Sequence, residues 1–384
     1  MKKVKVVCLV TLIFSMVFLT GCWNYREIDT MNIVSGLAID KGEQGLKYHL
    51  TFEVLDLSST PAQGATKTKQ LESEGDTVFD AVRNIVKSSQ KKLFFSDCKA
   101  IVISSDLAKE GLSPILDWFN RDAEPRITLD LIISKDKTAA DILKSETSQD
   151  EIASYKISNM LDHDISFLGK DPEIELYQAY NLLGGKGVSL ILPSIKTSIL
   201  KSGNTLDLAG TAMFKKDKLI GFLDNDESKF LLFVKDKISG GILLANIDSS
   251  ENNISLEIVN SQTKVTPVIS NDKVTIKIDI KTKVAMGEDN TGGDKLTETA
   301  IQDIQKNAEK QLIAGVKGII EKVEKEYDSD IFGFGTAVYQ SNPAFWMKVE
   351  PQWNQIFSSL KCELSAKVEI ENTAIAKIKE KGGD

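Results

Sequence analysis

The chain reads as an α+β protein of several domains, with mainly antiparallel sheets and a long C-terminal helix packed on one of them. Three observations predict this. Two segments alternate strictly. Val274, Ile276, Ile278 and Ile280 interleave with Lys273, Thr275, Lys277, Asp279 and Lys281, and Cys362, Leu364, Ala366, Val368 and Ile370 interleave with Lys361, Glu363, Ser365, Lys367 and Glu369. Such period-2 patterning marks strands with one wet and one dry face, typical of antiparallel sheets. Between these segments, Leu296, Ala300, Ile304, Ala308, Leu312, Val316, Ile319, Val323 and Tyr327 step by three or four. That spacing predicts a helix over 295–327, roughly 50 Å long, whose apolar stripe covers the dry face. Finally, 384 residues exceed what one compact core organises and fit two or three domains.

Taken in order, the chain opens with three lysines in its first five residues and an apolar run, Val6–Leu19. This has the layout of a secretory signal and falls short of the roughly 20 residues a spanning helix needs. It ends in Leu19-Thr20-Gly21-Cys22, which resembles the bacterial lipobox. A small residue at Gly21 suits a narrow protease site. The Cys22 thiol takes an S-diacylglycerol, and its freed amine an N-acyl chain. Two signals anchor stably where one chain binds marginally. A plain signal peptide or an uncleaved anchor is the alternative. The body then lies outside the cytoplasm, on a bacterial membrane.

Beyond the signal peptide (1–21), the pattern divides into an N-terminal α/β domain (22–144), a partly helical middle segment (145–205), a C-terminal α+β domain (206–372) and a polar tail (373–384). In the first, Met31–Asp40 and Lys47–Leu55 flank K-G-E-Q-G as a hairpin. Ser58–Ser73, with Pro61 and Gly64, reads as a loop. Asp76 caps a helix with Phe79, Val82, Ile85 and Val86 on one face. Leu93–Phe95, Lys99–Ser104 and Arg126–Ser134 read as extended, Ser113-Pro114 as a helix start, and Thr138–Lys144 as a short helix. In the middle segment Glu151–Leu161 and Pro172–Leu183 are helical. Gly184-Gly185-Lys186-Gly187 follows as a turn without P-loop spacing. In the third, Leu208–Phe214 and Leu219–Leu223 form a hairpin, Asn225–Ile238 a helix, and Ile254, Leu256 and Ile258 a strand. Gly315 and Gly318 weaken the long helix locally and permit close packing.

The net charge is −8, and −11 without Lys2, Lys3 and Lys5. An acidic body argues against nucleic-acid binding and gives no help at anionic lipid. Of the cysteines, Cys8, Cys22, Cys98 and Cys362, none forms a C-x-x-C pair, so zinc and thioredoxin-like readings lack support. Cys98 and Cys362 read as two buried thiols, with a disulfide as the alternative. No G-x-S-x-G, H-E-x-x-H or Walker sequence occurs. Asp162-His163-Asp164 reads as solvated charge rather than a metal site, and Asp224–Glu227 as a turn and helix start. Neither enzyme activity nor a cofactor is expected. Trp118 to Arg126, W-F-N-R-D-A-E-P-R, is the one candidate site. Trp118, Arg121 and Asp122 form a partner-docking corner, or Trp118 and Phe119 are core and the charges pair locally.

The junction G-C-W-N-Y-R-E-I-D is followed by G-L-A-I-D (Gly36–Asp40), F-D-A-V-R (Phe79–Arg83), L-F-F-S-D-C-K (Leu93–Lys99), L-A-K-E-G-L-S-P-I-L-D-W-F-N-R-D (Leu107–Asp122), L-A-G-T-A-M-F-K-K-D-K-L-I-G-F-L (Leu208–Leu223), D-I-F-G-F-G (Asp330–Gly335) and N-P-A-F-W (Asn342–Trp346). In order and number these resemble the Ger(x)C family, the lipoprotein C subunit of spore germinant receptors. The resemblance implies mixed α/β domains, no enzyme activity and a place on the outer face of the spore inner membrane. It also implies integral-membrane A and B subunits as partners and a response to nutrients such as amino acids or sugars. Many relatives carry His where Asp97 stands, so no shared metal or proton chemistry is implied there. The alternative is a solute-binding lipoprotein of a transporter, which predicts two α/β lobes around an aromatic-lined cleft.

Overall fold

The computed structural model describes residues 4–5, 27, 30–43, 45–56, 67–122, 124–145, 152–201, 203–246, 253–289 and 297–372. The lipidation expected of Cys22, the apolar run before it, most of the expected 58–73 loop, the start of the expected long helix and the polar tail lie outside those residues.

Strand β1 (Met31–Lys41) pairs antiparallel with β2 (Tyr48–Leu55), from Lys41↔Tyr48 inward, as the K-G-E-Q-G turn predicts. β3 (Thr68–Gly75) adds antiparallel to β2. Residues 68–73 are therefore strand, not loop. The segment T-K-Q-L-E-S-E-G is polar on both faces because β3 is an edge strand, where charge deters further pairing.

α1 (Val78–Asn84) is capped by Thr77, not Asp76: the Thr77 hydroxyl accepts from the Asp80 N–H at 3.0 Å. Val78, Ala81, Val82 and Ile85 face inward, while Phe79 and Val86, expected on the buried face, are exposed. Short α2 (Val86–Ser89) and β4 (Lys92–Phe94) follow, β4 lying parallel to the first residues of β1.

β5 (Ala100–Ser104) runs directly into α3 (Ser105–Glu110), a helix with no turn signal before it. α4 (Ser113–Arg121), β6 (Asp130–Ser134), α5 (Ala140–Lys144), α6 (Ala153–Phe167), α7 (Leu176–Leu183) and β7 (Ile191–Leu200) complete the crossovers. Parallel neighbours need crossover connections, which these helices supply, and β1, β5, β6 and β7 are parallel in the sheet centre. The hairpin of β8 (Gly203–Lys215) and β9 (Lys218–Leu223) closes the other side antiparallel. Among the described residues, the order is β3-β2-β1-β5-β6-β7-β8-β9, with β4 beside β1. This sheet draws strands from all three segments expected from sequence.

The sheet is covered on both faces. Leu37, Ile39, Ile101 and Ile103 join Phe52, Phe95 and Trp118 on one side, under α1 and α4. Ala38, Ala100, Val102 and Ile132 meet α5 and α6 on the other. Buried carboxylates start these last two helices. Asp40 accepts from the N–H groups of Ala139 (2.6 Å) and Ala140 (3.0 Å), and Glu53 from Ala153 (2.8 Å) and Ser154 (3.1 Å).

α8 (Asn225–Val234) starts in a capping box of Asp224 and Glu227 and ends four residues before the expected Ile238. A second sheet follows in the order β10 (Ile242–Asn246), β11 (Asn253–Ser270), β12 (Lys273–Asp289), β13 (Lys361–Asn372). β12 and β13 alternate as expected but pair parallel, because the connection between them is a helical crossover. Its main part is α9 (Glu298–Glu326), 29 residues and so about 44 Å. Ile304, Ala308, Leu312, Val316, Ile319 and Val323 bury its stripe on the dry face. α9 also guards an edge: Glu309 accepts from the Val368 N–H (3.1 Å) and Gln305 from that of Ile370 (3.0 Å). Gly315 lets α8 approach, since a Cβ there would meet the Phe230 ring at 2.2 Å.

The turn D-I-F-G-F-G, before α10 (Phe334–Ser341), α11 (Pro343–Val349) and α12 (Trp353–Phe357), ties the parts together. The Asp330 carboxylate accepts from the N–H groups of Gly333 (2.8 Å), Phe334 (3.1 Å) and Gly335 (2.7 Å) and from the Trp353 indole (3.0 Å). Its carbonyl takes the Ser189 N–H at 2.7 Å. Gly335 lies against Gly187, where a Cβ would come within 2.4 Å. The Gly184–Gly187 turn expected from sequence is thus a close backbone contact.

Candidate functional site

A groove of about 670 Å³ opens between α1 and α4, at the end of the sheet where β2 begins. Tyr48, Val78, Phe79 and Trp118 supply apolar walls, and Lys47, Asp76, Asp117, Arg121 and Asp122 supply charge. The amphipathic pattern of α4 sets this up. Ile115, Leu116, Trp118 and Phe119 turn inward, leaving Asp117 and Arg121 one turn apart on the rim. The carboxylate of Asp217, in the β8–β9 turn, fixes the start of α4 by accepting from the Ser113 N–H at 3.2 Å, while the Asp217 carbonyl takes Leu112 N–H at 2.9 Å. Ser113, expected with Pro114 at the helix start, is the first residue of the helix.

Trp118, Arg121 and Asp122 therefore line one groove. Trp118 is 7% exposed and meets Phe95 edge-on at 5.5 Å and Phe119 at 4.4 Å. Its indole N–H has no partner among the described residues. Arg121 pairs with Asp117 at 2.8 Å; this hydrogen bond holds the Asp117 carboxyl below its ordinary range and raises the guanidinium. Both side chains are well exposed, so the pair adds little stability. Asp122 accepts from the Glu124 N–H at 3.0 Å and shapes the turn after α4. Glu124 reaches away to Lys92. Lys47 and Tyr48, which strand pairing brings to the groove, and Phe79, on the exposed side of α1, were not foreseen from sequence. The ring of Phe79, 48% exposed, lies under Arg83 at 4.8 Å. The groove offers an apolar surface bordered by mixed charge, which suits binding.

Other chemistry-bearing residues lie elsewhere. Cys98 and Cys362 are free, and burial pushes each thiol up to about 12. His49 lies between Glu74 (3.2 Å) and Glu72 (3.7 Å), neighbours made by β2–β3 pairing and invisible as spacing. The His163 ring meets Phe167 at 6.0 Å. The Asp97 carboxylate accepts the Tyr155 hydroxyl. Among the described residues, no three His, Cys, Asp or Glu side chains gather as a metal site, and no helix is long and apolar enough to cross a membrane.

Two family models match the chain in order: the spore germination protein N-terminal domain over residues 24–197, and the spore germination B3/GerAC-like C-terminal region over 209–374. The chain belongs to the Ger(x)C family. Among its Ger(x)C relatives, spore germination protein B3 of Bacillus subtilis (strain 168) is 27% identical over 362 residues, covering 92% of this chain and 95% of that protein. Spore germination protein KC of the same organism is 23% identical over 394 residues, covering 97% and 96%. The crystal structure of the GerBC protein superposes with a TM-score of 0.59 at 24% identity, over 88% of this chain and 97% of that one. The mixed α/β fold with its long C-terminal helix is therefore a shared one.

Proposed function

We propose that the chain is a lipid-anchored, non-catalytic subunit of a membrane germinant receptor, acting in nutrient-triggered spore germination. The ordered match of both Ger(x)C regions along nearly the whole chain carries this reading. Cys22 holds the protein on the outer face of the spore inner membrane. Confinement to that plane raises its effective concentration near the integral-membrane A and B subunits. The groove at Trp118, Arg121 and Asp122 is the docking corner: a partner side chain covers Phe79 and Trp118 for affinity, and the rim charges set orientation.

Wild-type protein is expected to carry the mass of its lipid and to sediment with membranes, and Cys22→Ala to lose both. A variant still membrane-bound at wild-type mass would overturn the anchor. For the docking corner, Arg121→Glu and Phe79→Ala are expected to reduce co-purification of the A and B subunits about tenfold or more with the lipid intact; unchanged recovery would sink it.

One observation favours a second reading. The groove volume lies within the roughly 300–1,000 Å³ of small-molecule sites, as a solute-binding lipoprotein needs. Calorimetry of the soluble body with amino acids and sugars separates the two: tight binding supports the solute reading, and no heat removes it.

A further inference from the structure

Five large apolar side chains stand exposed where α6 meets the second sheet: Phe167, Leu168, Ile242, Leu244 and Val259, each 49–67% exposed. Two glycines bring them together. A Cβ on Gly240 would lie 2.0 Å from the Ser166 carbonyl oxygen, and one on Gly241, whose φ is +108°, would lie 2.3 Å from that of Leu168. The Ser239 hydroxyl donates to the Ile165 carbonyl at 2.9 Å. The end of α6 is thus fixed against the start of β10, and Phe167 and Leu168 stand beside Ile242.

Strand geometry aligns the rest. Leu243 and Ala245 are buried, so Ile242 and Leu244 point the other way. Ile242 pairs with Glu257 and Leu244 with Ser255, and Val259, two residues past Glu257, shares their face. Apolar residues scattered singly over a surface need no explanation, but a gathered patch does. This one spans both matched regions of the family.

Charge selects the occupant. Glu257 adjoins Ile242, and Glu288 adjoins Ser255 in the row of Leu244; neither is ion-paired among the described residues. Lys229 donates to the Ile242 carbonyl at 3.2 Å, and Lys170, two residues past Leu168, is paired with Asp226, so the two carboxylates outnumber the one ammonium left without a carboxylate. The whole chain carries −8. Anionic lipid is repelled by such a surface, the five residues include no interfacial Trp or Tyr, and a second copy would bring like charges together. We infer that this patch docks a segment of a partner protein whose apolar side chains are flanked by Lys or Arg. Touching Phe167 and Leu244 at once, that segment bridges the two halves of the chain. The inference stands apart from the groove and fails or holds independently of it.

The test uses the full-length chain in its own membrane, with photoreactive benzoylphenylalanine at Leu244 or Phe167. The control probe is at Ile199, 89% exposed at a hairpin tip. Both patch probes are expected to join the same protein, at a peptide with apolar residues beside Lys or Arg. Glu257→Lys is expected to cut the yield at least tenfold with thermal unfolding unchanged. Adducts only to lipid, adducts to a second copy, yields no higher than at Ile199, or yields indifferent to Glu257→Lys would each overturn the proposal.

Discussion

Asp330 shows how one side chain organises a region. Its carboxylate is buried and accepts from four N–H groups. An orphaned buried donor costs about 1–3 kcal/mol. Asp330→Ala is therefore expected to lower stability by at least about 3 kcal/mol, read as a lower urea midpoint. The motif D-I-F-G-F-G was visible in sequence, but its work was not. Three donors are local backbone groups, and the fourth, Trp353, folds back from 23 residues on.

Other buried carboxyls set the pH response. Burial, and next Asp164, raise Asp171 to about 7; burial raises Asp130 to about 6. Both start from 3.8, so the folded chain holds protons that the unfolded chain releases above that value. Stability from these groups is full below about pH 4 and is lost as pH rises through 6 to 7. Groups held low, such as Asp117 and Asp217, act only at the acid end. Thermal unfolding is thus expected at a higher temperature at pH 5.5 than at pH 8, and Asp171→Asn is expected to flatten that slope.

Among the elements, α9 gives a paired experiment. Glycine inside a helix costs about 1 kcal/mol against alanine. At Gly318, a Cβ meets nothing within 4 Å, so Gly318→Ala is expected to stabilise by up to about 1 kcal/mol. At Gly315, the Phe230 ring stands 2.2 Å from the same point, and overpacking of about 1–3 kcal/mol outweighs the helix gain. Equal urea midpoints for the two variants would show that Phe230 simply moves aside.

Elements with a wet and a dry face were legible in sequence: β12, β13 and α9 follow their periodicity, while the β8–β9 hairpin was legible from the polar K-K-D-K turn between two apolar runs. β3 was not, because an edge strand with polar side chains on both faces has no contrast to read. α3 was not, because it follows β5 without a loop. The parallel pairing of β12 and β13 was hidden because alternation reports which face is wet and says nothing about the neighbour's direction. At the groove, Trp118, Arg121 and Asp122 were legible as a local cluster; Tyr48 and Phe79 reach it only through the β2–β3 pairing and the turn of α1.

Over the whole molecule, one apolar core runs from Val34 through Phe214 to Val316 and Val368. This decides how docking is tested. Trp118 belongs to that core, so Trp118→Ala is expected to cost about 3–5 kcal/mol and would confuse unfolding with lost binding. Arg121→Glu and Phe79→Ala change exposed side chains and are expected to shift stability by about 0.5 kcal/mol or less. Their unfolding curves should overlie wild type while partner recovery falls.

The seam between the two matched regions, residues 198–208, falls at a hairpin: β7 ends at Leu200 and β8 begins at Gly203. The two matched regions therefore meet inside one antiparallel strand pair. A chain cut at that seam would leave its first fragment ending on β7 with an open row of backbone donors and acceptors, a template for aggregation. The same cut would remove Asp217, and with it the clasp on the first turn of α4. The lining of the groove comes wholly from the first matched region, yet the helix that forms one wall of it is held at its start by a carboxylate from the second.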